Sequence, residues 1–460
     1  MKVRTLLLAL AASCGTFGTS AFAQEIAGEI GTSSALLQAH ITPEMRRAAG
    51  ISDKIEGWAR FEVADNKDFT RPVVSEWIKI DPAADNVIKY MFGRNSVESL
   101  RGGKTYYWRY KFGPNPAQVT TCPAPKAGTP YEPFTFQTAS GAIASRPMRL
   151  AVVQGIDVAS PKLDLAIDNL VAAKPDYVVF AGNSVAYDAP GAVATTAEAM
   201  RAKWHTLLTN PKVRALLAQT GTYWLKNDRD FRFAGADYTA GKEPSAELGT
   251  DLFREQVPVT DPRDPASLTF RSVQATRDLA LWMLEVRDYR SPNSAADGKD
   301  KSLWGPSQAE WMQRNVRSST SPFRLVIQPT AIVGPDAAPD SHVTAFRHER
   351  QAFLDDVKAN KLSEKGLLVI VGGNSQYHST SAEGLEEISV GSLTTPAAPA
   401  QAGAGITQNF KQSQPAPGFA LIDVTPGAAG APTQLTISLV NAETGAVAYK
   451  TTKTAVVTKK

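Results

Sequence analysis

A layered α/β domain preceded by a small all-β sandwich is the architecture predicted for this chain, and three observations predict it. Period-two alternation of apolar and polar residues runs from about residue 50 to 138. After Pro147, continuous apolar strands alternate with helical periodicity. Between the two patterns, residues 140–147 are small and loop-like. At 460 residues, the chain has the length of about two or three domains at ~150 residues each.

The chain opens with Lys2 and Arg4, an apolar run from Leu6 to Ala12, and Ala21-Phe22-Ala23 before Gln24. Charged, apolar and small residues in that order mark a secretory leader, so residues 1–23 are read as a signal peptide and the mature protein as periplasmic or secreted. The run is shorter than the ~20 apolar residues of a spanning helix, and no later segment reaches that length, so no transmembrane segment is expected. Ala11-Ala12-Ser13-Cys14 offers a weaker alternative, a lipoprotein box with Ala at its first position and anchoring at Cys14. Without the leader, Cys122 is expected to be an unpartnered, buried thiol.

In the region 25–139, Trp58-Ala59-Arg60-Phe61-Glu62-Val63 and Tyr106 to Phe112 alternate as half-buried strands, Arg101-Gly102-Gly103-Lys104 marks a turn, and Phe134 to Thr138 closes the series. Residues 148–460 then form the α/β domain. Met148 to Val153, Asp176 to Ala181 and Gly366 to Val371 are buried strands that end in Gly155-Ile156-Asp157, Gly182-Asn183 and Gly372-Gly373-Asn374. Helices are expected after Ser160-Pro161 and around 196–218, 306–318 and 345–360. Residues 394–417, rich in Ala, Pro, Gly and Gln, are expected to form a mobile loop before two closing strands at 418–424 and 435–440.

Composition excludes several function classes. Loss of Lys2 and Arg4 leaves 47 basic residues against 45 acidic ones, so there is no nucleic-acid footprint. Five histidines in the whole chain argue against a histidine-rich metal enzyme, although carboxylates bind metals by themselves. Ligands of α/β sheets bind where strands finish, which singles out Asp157, Asn183, Asn227-Asp228-Arg229-Asp230 and Asn374 to His378. Oxygen donors at separate strand ends suit a hard cation, yet Asn and Asp also end strands simply because they form turns.

The motifs in this order resemble those of the PhoD-like alkaline phosphatases and phosphodiesterases of the metallophosphoesterase superfamily. Ala181-Gly182-Asn183-Ser184-Val185-Ala186-Tyr187-Asp188 is similar to the family's Leu-Gly-Asp-x-Ile-Tyr-x-Asp, and Leu225 to Phe231 falls where it has Thr-Trp-Asp-Asp-His-Asp. Leu284 to Ser291 resembles Leu-Asp-Thr-Arg-x-Tyr-Arg-Ser, Gln308-Ala309-Glu310-Trp311 resembles Gln-x-x-Trp, and Gly373 to Tyr377 resembles Gly-Asp-x-His-Tyr. The resemblance implies a four-layer α/β/β/α sandwich, a fibronectin-like N-terminal domain and phosphate-ester hydrolysis on divalent or trivalent metal, calcium or iron.

The departures fall on the chemistry. Asn183 stands at the metal-bridging aspartate, Asn374 and Gln376 at the aspartate and histidine of the last motif, and Arg229 at the histidine expected beside the phosphate. Amides in place of carboxylates leave the metals' charge uncompensated, so a site without metal is also open. Asp157, Asp188, Asp228, Asp230 and Glu285 remain as oxygen donors, and His378 lies two residues beyond Gln376. Arg229 could contact phosphate in place of the histidine, beside Asp228, but it cannot act as a general acid. Three readings follow: an exported phosphate-ester-binding protein with little or no turnover, an active phosphatase or phosphodiesterase with an atypical oxygen-rich site, and a surface interaction or structural protein. The substrate and the oligomeric state are not legible.

Overall fold

The computed structural model describes residues 24–52, 55–93, 95, 97–123, 132–264, 266–336, 338–398, 401–428 and 431–455. The leader and Cys14 lie outside them.

Two mixed sheets stack face to face. One has nine strands, in the order 447–454, 434–441, 418–425, 148–153, 177–181, 221–225, 26–28, 35–40 and 87–92. The other has seven, in the order 271–276, 279–283, 323–328, 367–371, 386–390, 376–380 and 407–411. The alternation of Met148–Val153 shows how the layers arise. Leu150 and Val152 enter the core between the sheets, while Ala151 and Val153 face the helices on the other side. A strand buried on both faces must be apolar throughout, and each buried Val or Leu contributes ~1.5–3 kcal/mol.

Helices Leu163–Ala172, Ala197–Leu208, Pro211–Leu217 and Ala246–Gln256 cover the nine-stranded sheet, with Leu170, Trp204, Leu216 and Phe253 in the shared core. Pro306–Ser318 and Arg347–Ala359 cover the seven-stranded sheet through Met312, Val316, Phe353 and Leu354. The four-layer α/β/β/α order is therefore present. The helical stretch at 196–218 divides at Asn210, whose side chain caps the N–H groups of Lys212 and Val213 with Pro211 in the first turn.

The N-terminal region is β apart from the short helix Pro43–Ala48 and the 3-10 turn Pro82–Ala84, and its strands serve two sheets. Gly57–Ala64 and Thr105–Asn115 pair in a third, smaller sheet. Ile26–Gly28, by contrast, runs parallel to Gly221–Leu225 and carries Ala35–His40 and Val87–Phe92 onto the edge of the nine-stranded sheet. Phe61, Trp108 and Tyr110 share one continuous core with Leu150 and Val179. The connection at 140–147 is tied down at its start, where Ser140 N donates to Ala275 O at 3.0 Å and Gly141–Ile143 form a 3-10 turn.

Two expectations need correction. The stretch 394–417 is not a continuous loop: Thr407–Lys411 forms an edge strand antiparallel to Gln376–Thr380, and its exposed Thr407, Asn409 and Lys411 alternate with half-buried Gln408 and Phe410. In the full chain Cys122 is disulfide-bonded, whereas the free thiol is expected of the chain without its leader; its burial is as expected.

Candidate strand-end site

Strands 148–153, 177–181 and 221–225 run parallel, as do 323–328 and 367–371, so their C-terminal ends face one crevice. The loops leaving them enclose a cleft of about 390 Å³ lined by Gln154, Asn183, Asn227, Asp228, Arg287, Asp336, Asp340 and Asn374, among others. Gly182 and Asn183 both adopt positive φ, at 101° and 53°. A Cβ on Gly182 would lie 2.6 Å from that of Asn227, so only glycine lets these two loops close on each other.

Of the sequence-predicted residues, Asn183, Asn227, Asp228, Asn374, Ser375 and Tyr377 line this cleft; Asp157, Asp188, Arg229, Asp230, Glu285, Gln376 and His378 do not. Gln154, the residue directly after its strand, takes the place expected for Asp157. Asp157 itself is exposed, and its Oδ1 accepts from Ala159 N at 3.0 Å in a local turn. Arg229 turns to Asp188, with Nε 3.1 Å from Oδ1, and is absent from the cleft lining. Asp230 is fully buried beneath the loop, accepting from Ser184 N and Asn227 N at 3.0 and 2.7 Å. Burial raises its pKa to about 7, against the pull of those N–H groups.

Glu285 lies in a separate buried cluster, 3.8 Å from the ammonium of Lys226, which also pairs with Asp288. Burial, reinforced by the charge of Asp288, holds its carboxyl above the usual range. Gln376 begins the strand Gln376–Thr380, and its side chain lies between the sheets: its Nε2 reaches the carbonyls of Val390, Phe419 and Val440 at 3.0–3.2 Å. His378 is buried between Tyr449 and Glu386, 2.9 and 2.8 Å from its two ring nitrogens. Both side chains are committed to packing between strands.

The groups that sequence reasoning missed are Arg287, Asp336 and Asp340. Arg287 is fully buried and donates from Nη1 to Asp340 Oδ2 at 2.6 Å and to Ala236 O at 2.9 Å, and from Nε to Asn227 Oδ1 at 3.2 Å. Arg290 Nη1 reaches the same Asp340 oxygen at 3.3 Å. Burial alone would raise the Asp340 carboxyl, but the two guanidinium groups outweigh it and hold the pKa below the usual range. Asp336 has no cation on it, and burial pushes its pKa up to about 6. The signal for Arg287 was its place in the Leu284–Ser291 motif, while the loop bearing Asp336 and Asp340 carries no recognisable pattern.

These donors do not fit the pair of metals that the family resemblance implies. Neither imidazole nor thiol lines the cleft, and among the described residues no three carboxylates there converge as ligands. Asp340 is neutralised by two arginines, and both oxygens of Asp228 accept backbone N–H groups, from Arg229 at 3.1 Å and Gly235 at 2.8 Å. Two divalent ions would add a charge of +4 beside the two guanidinium groups that already meet Asp340.

Two stacked mixed sheets between helices, with a polar cleft at their strand ends, define a metallophosphoesterase-like phosphatase fold. The chain matches the model of the PhoD-like phosphatase family over residues 166–416, more than half its length, and belongs to that family. A solved structure of PhoD superposes with a TM-score of 0.73 at 16% identity, covering 96% of this chain and 90% of that one. A purple acid phosphatase from yellow lupin (Lupinus luteus) seeds gives 0.62 at 10% identity, covering 93% of this chain and 73% of that one. At these identities the two structures establish the fold alone. No match was found among curated protein sequences.

Proposed function

We propose that the strand-end cleft binds a phosphate ester or another phosphate-bearing ligand with little hydrolytic turnover, in an exported member of the PhoD-like family. The observation that carries this is Arg287. A guanidinium of fixed charge stands in the cleft wall, and one of its Nη2 hydrogens is uncommitted among the contacts described. Binding without a metal-bound nucleophile leaves the attack on phosphorus unassisted. The export part of the reading rests on the leader pattern of residues 1–23, and no helix among the described residues is long and apolar enough to cross a membrane.

The test is purified mature protein assayed on a chromogenic phosphomonoester and a diester with calcium, iron, manganese or zinc, with elemental analysis alongside. Little turnover is expected under every metal, together with thermal stabilisation by phosphate that survives chelator. The oxygens of Asn183, Asp228 and Asn374 in one cleft favour a second reading, a single calcium-type cation and a working esterase. Metal-dependent turnover abolished by Asp228→Ala would establish that reading and remove the first.

A pH dependence follows from Asp336. Its folded-state pKa is raised, so it is neutral below about 6 and ionised above, where it repels an anion in the cleft. Sulfate, whose own charge is constant in this range, is expected to bind roughly tenfold more tightly at about pH 5 than at about pH 8. Asp336→Asn should flatten that profile in a calorimetric titration, and a profile unchanged by the substitution would assign the dependence elsewhere.

A further inference from the structure

We propose that His40, Asp85 and His205 form a transition-metal site, of the zinc class, that is separate from the strand-end cleft. None of the three lines that cleft, and their ligand atoms all lie within 4.8 Å of one another. Each comes from a different element. His40 ends the strand Ala35–His40, Asp85 follows the 3-10 turn Pro82–Ala84 in the left-handed conformation at φ 55°, and His205 is in the last turn of helix Ala197–Leu208. A metal here would pin the N-terminal strand and its neighbouring loop to a helix of the outer layer.

The unpartnered group is His40. It is 3% exposed, and neither ring nitrogen has a hydrogen-bond partner. Its Nε2 is 3.7 Å from Asp85 Oδ1, too far for a hydrogen bond but close to the ~3.4 Å between neighbouring donors around a tetrahedral zinc ion. His205 Nε2 reaches the other Asp85 oxygen at 2.6 Å, and the two imidazoles stack with centroids 4.8 Å apart. An ordinary His205–Asp85 ion pair accounts for that contact but not for a second buried imidazole aimed at the same carboxylate.

The surroundings also suit a ligand. Gln256 Nε2 donates to Asp85 Oδ2 at 2.8 Å, the outer-sphere hydrogen bond that orients a metal-binding carboxylate. His205 is one-third exposed, which leaves an approach for the ion and for a water as fourth ligand. Two imidazoles and one carboxylate favour zinc, cobalt or iron(II) over calcium or magnesium.

The experiment is metal-stripped full-length mature protein titrated with Zn²⁺ by calorimetry and with Co²⁺ by visible absorption, in the parent, His205→Ala, Asp85→Asn and Asp228→Asn. His205 is partly exposed, so its truncation should leave the fold intact, which circular dichroism checks. One equivalent is expected in the parent, with a tetrahedral-type Co²⁺ band and a raised Tm. His205→Ala and Asp85→Asn should each weaken that binding by more than about 100-fold, since even outer-sphere partners are worth roughly 10–100-fold, while Asp228→Asn retains it. No binding by the parent, or an equivalent that survives His205→Ala and Asp85→Asn, overturns the proposal. Loss in Asp228→Asn alone would assign the metal to the strand-end cleft instead.

Discussion

Asp340→Ala is expected to destabilise the protein by on the order of 3–5 kcal/mol, the cost of removing one partner from a buried ion pair. Arg287 and Arg290 are both almost fully buried, and Asp340 is the carboxylate they share. Without it, the two guanidinium groups lose the carboxylate they share, and Arg290, which burial and the charge of Arg287 already lower to about 10, keeps only the charge of Asp237. Because Arg287 and Asp340 both line the cleft, an oxyanion can enter the space the carboxyl leaves. Sulfate or phosphate is therefore expected to restore part of the lost stability, beyond what chloride does at equal ionic strength. Urea melts of parent and variant in the three salts measure this. A variant within 1 kcal/mol of the parent, or one rescued equally by chloride, would show that these arginines do not present positive charge to the cleft.

Glu387→Ala should have an effect at least as large through a different route. The Glu387 carboxylate is fully buried in strand Glu386–Val390 and accepts the N–H groups of Ile332, Val333 and Gly334 at 2.6–2.8 Å and the hydroxyl of Tyr377 at 2.7 Å. One side chain thus satisfies three consecutive backbone donors of the loop that leads to Asp336 and Asp340. Alanine strands them, at about 1–3 kcal/mol for each unsatisfied group, so a loss on the order of 4–6 kcal/mol is expected. Amide exchange over residues 332–340 should accelerate, and sulfate binding should weaken with it. Glu387→Gln, which keeps one acceptor oxygen, should fall between parent and alanine. Unchanged exchange in the loop would mean that its conformation does not depend on this carboxylate.

The buried strands were the most legible part of the molecule. Leu150–Val153, Tyr177–Ala181 and Leu367–Val371 are apolar throughout because both faces are covered, and each is followed within two residues by glycine, where the chain turns. Asn183, Asp228 and Asn374 were found for that reason: each follows a strand end within a few residues, so local spacing placed it correctly. Asp157 lies four residues beyond Val153, and that distance sufficed to carry it out of the cleft. Alternation identifies a strand but not its partner. Nothing local in Ile26–Gly28 announces a parallel neighbour at Gly221, and the sheet joined by the N-terminal strands was therefore not readable. Arg287 and Asp340 escaped because their meaning is mutual: a buried arginine becomes informative only when its carboxylate is known.

Gln376 fastens the two large sheets to each other. Its amide links the carbonyl of Val390 in one large sheet to those of Phe419 and Val440 in the other, in a slot where a Cβ on Gly418 would lie 2.2 Å from its Nε2 and one on Gly391 2.8 Å from its Cγ. An imidazole carries at most one N–H on each of two separate ring nitrogens, so it cannot reproduce a link in which both hydrogens of one nitrogen serve three carbonyls. Gln376→His would therefore unfasten the two layers before it offered a nitrogen to any ion.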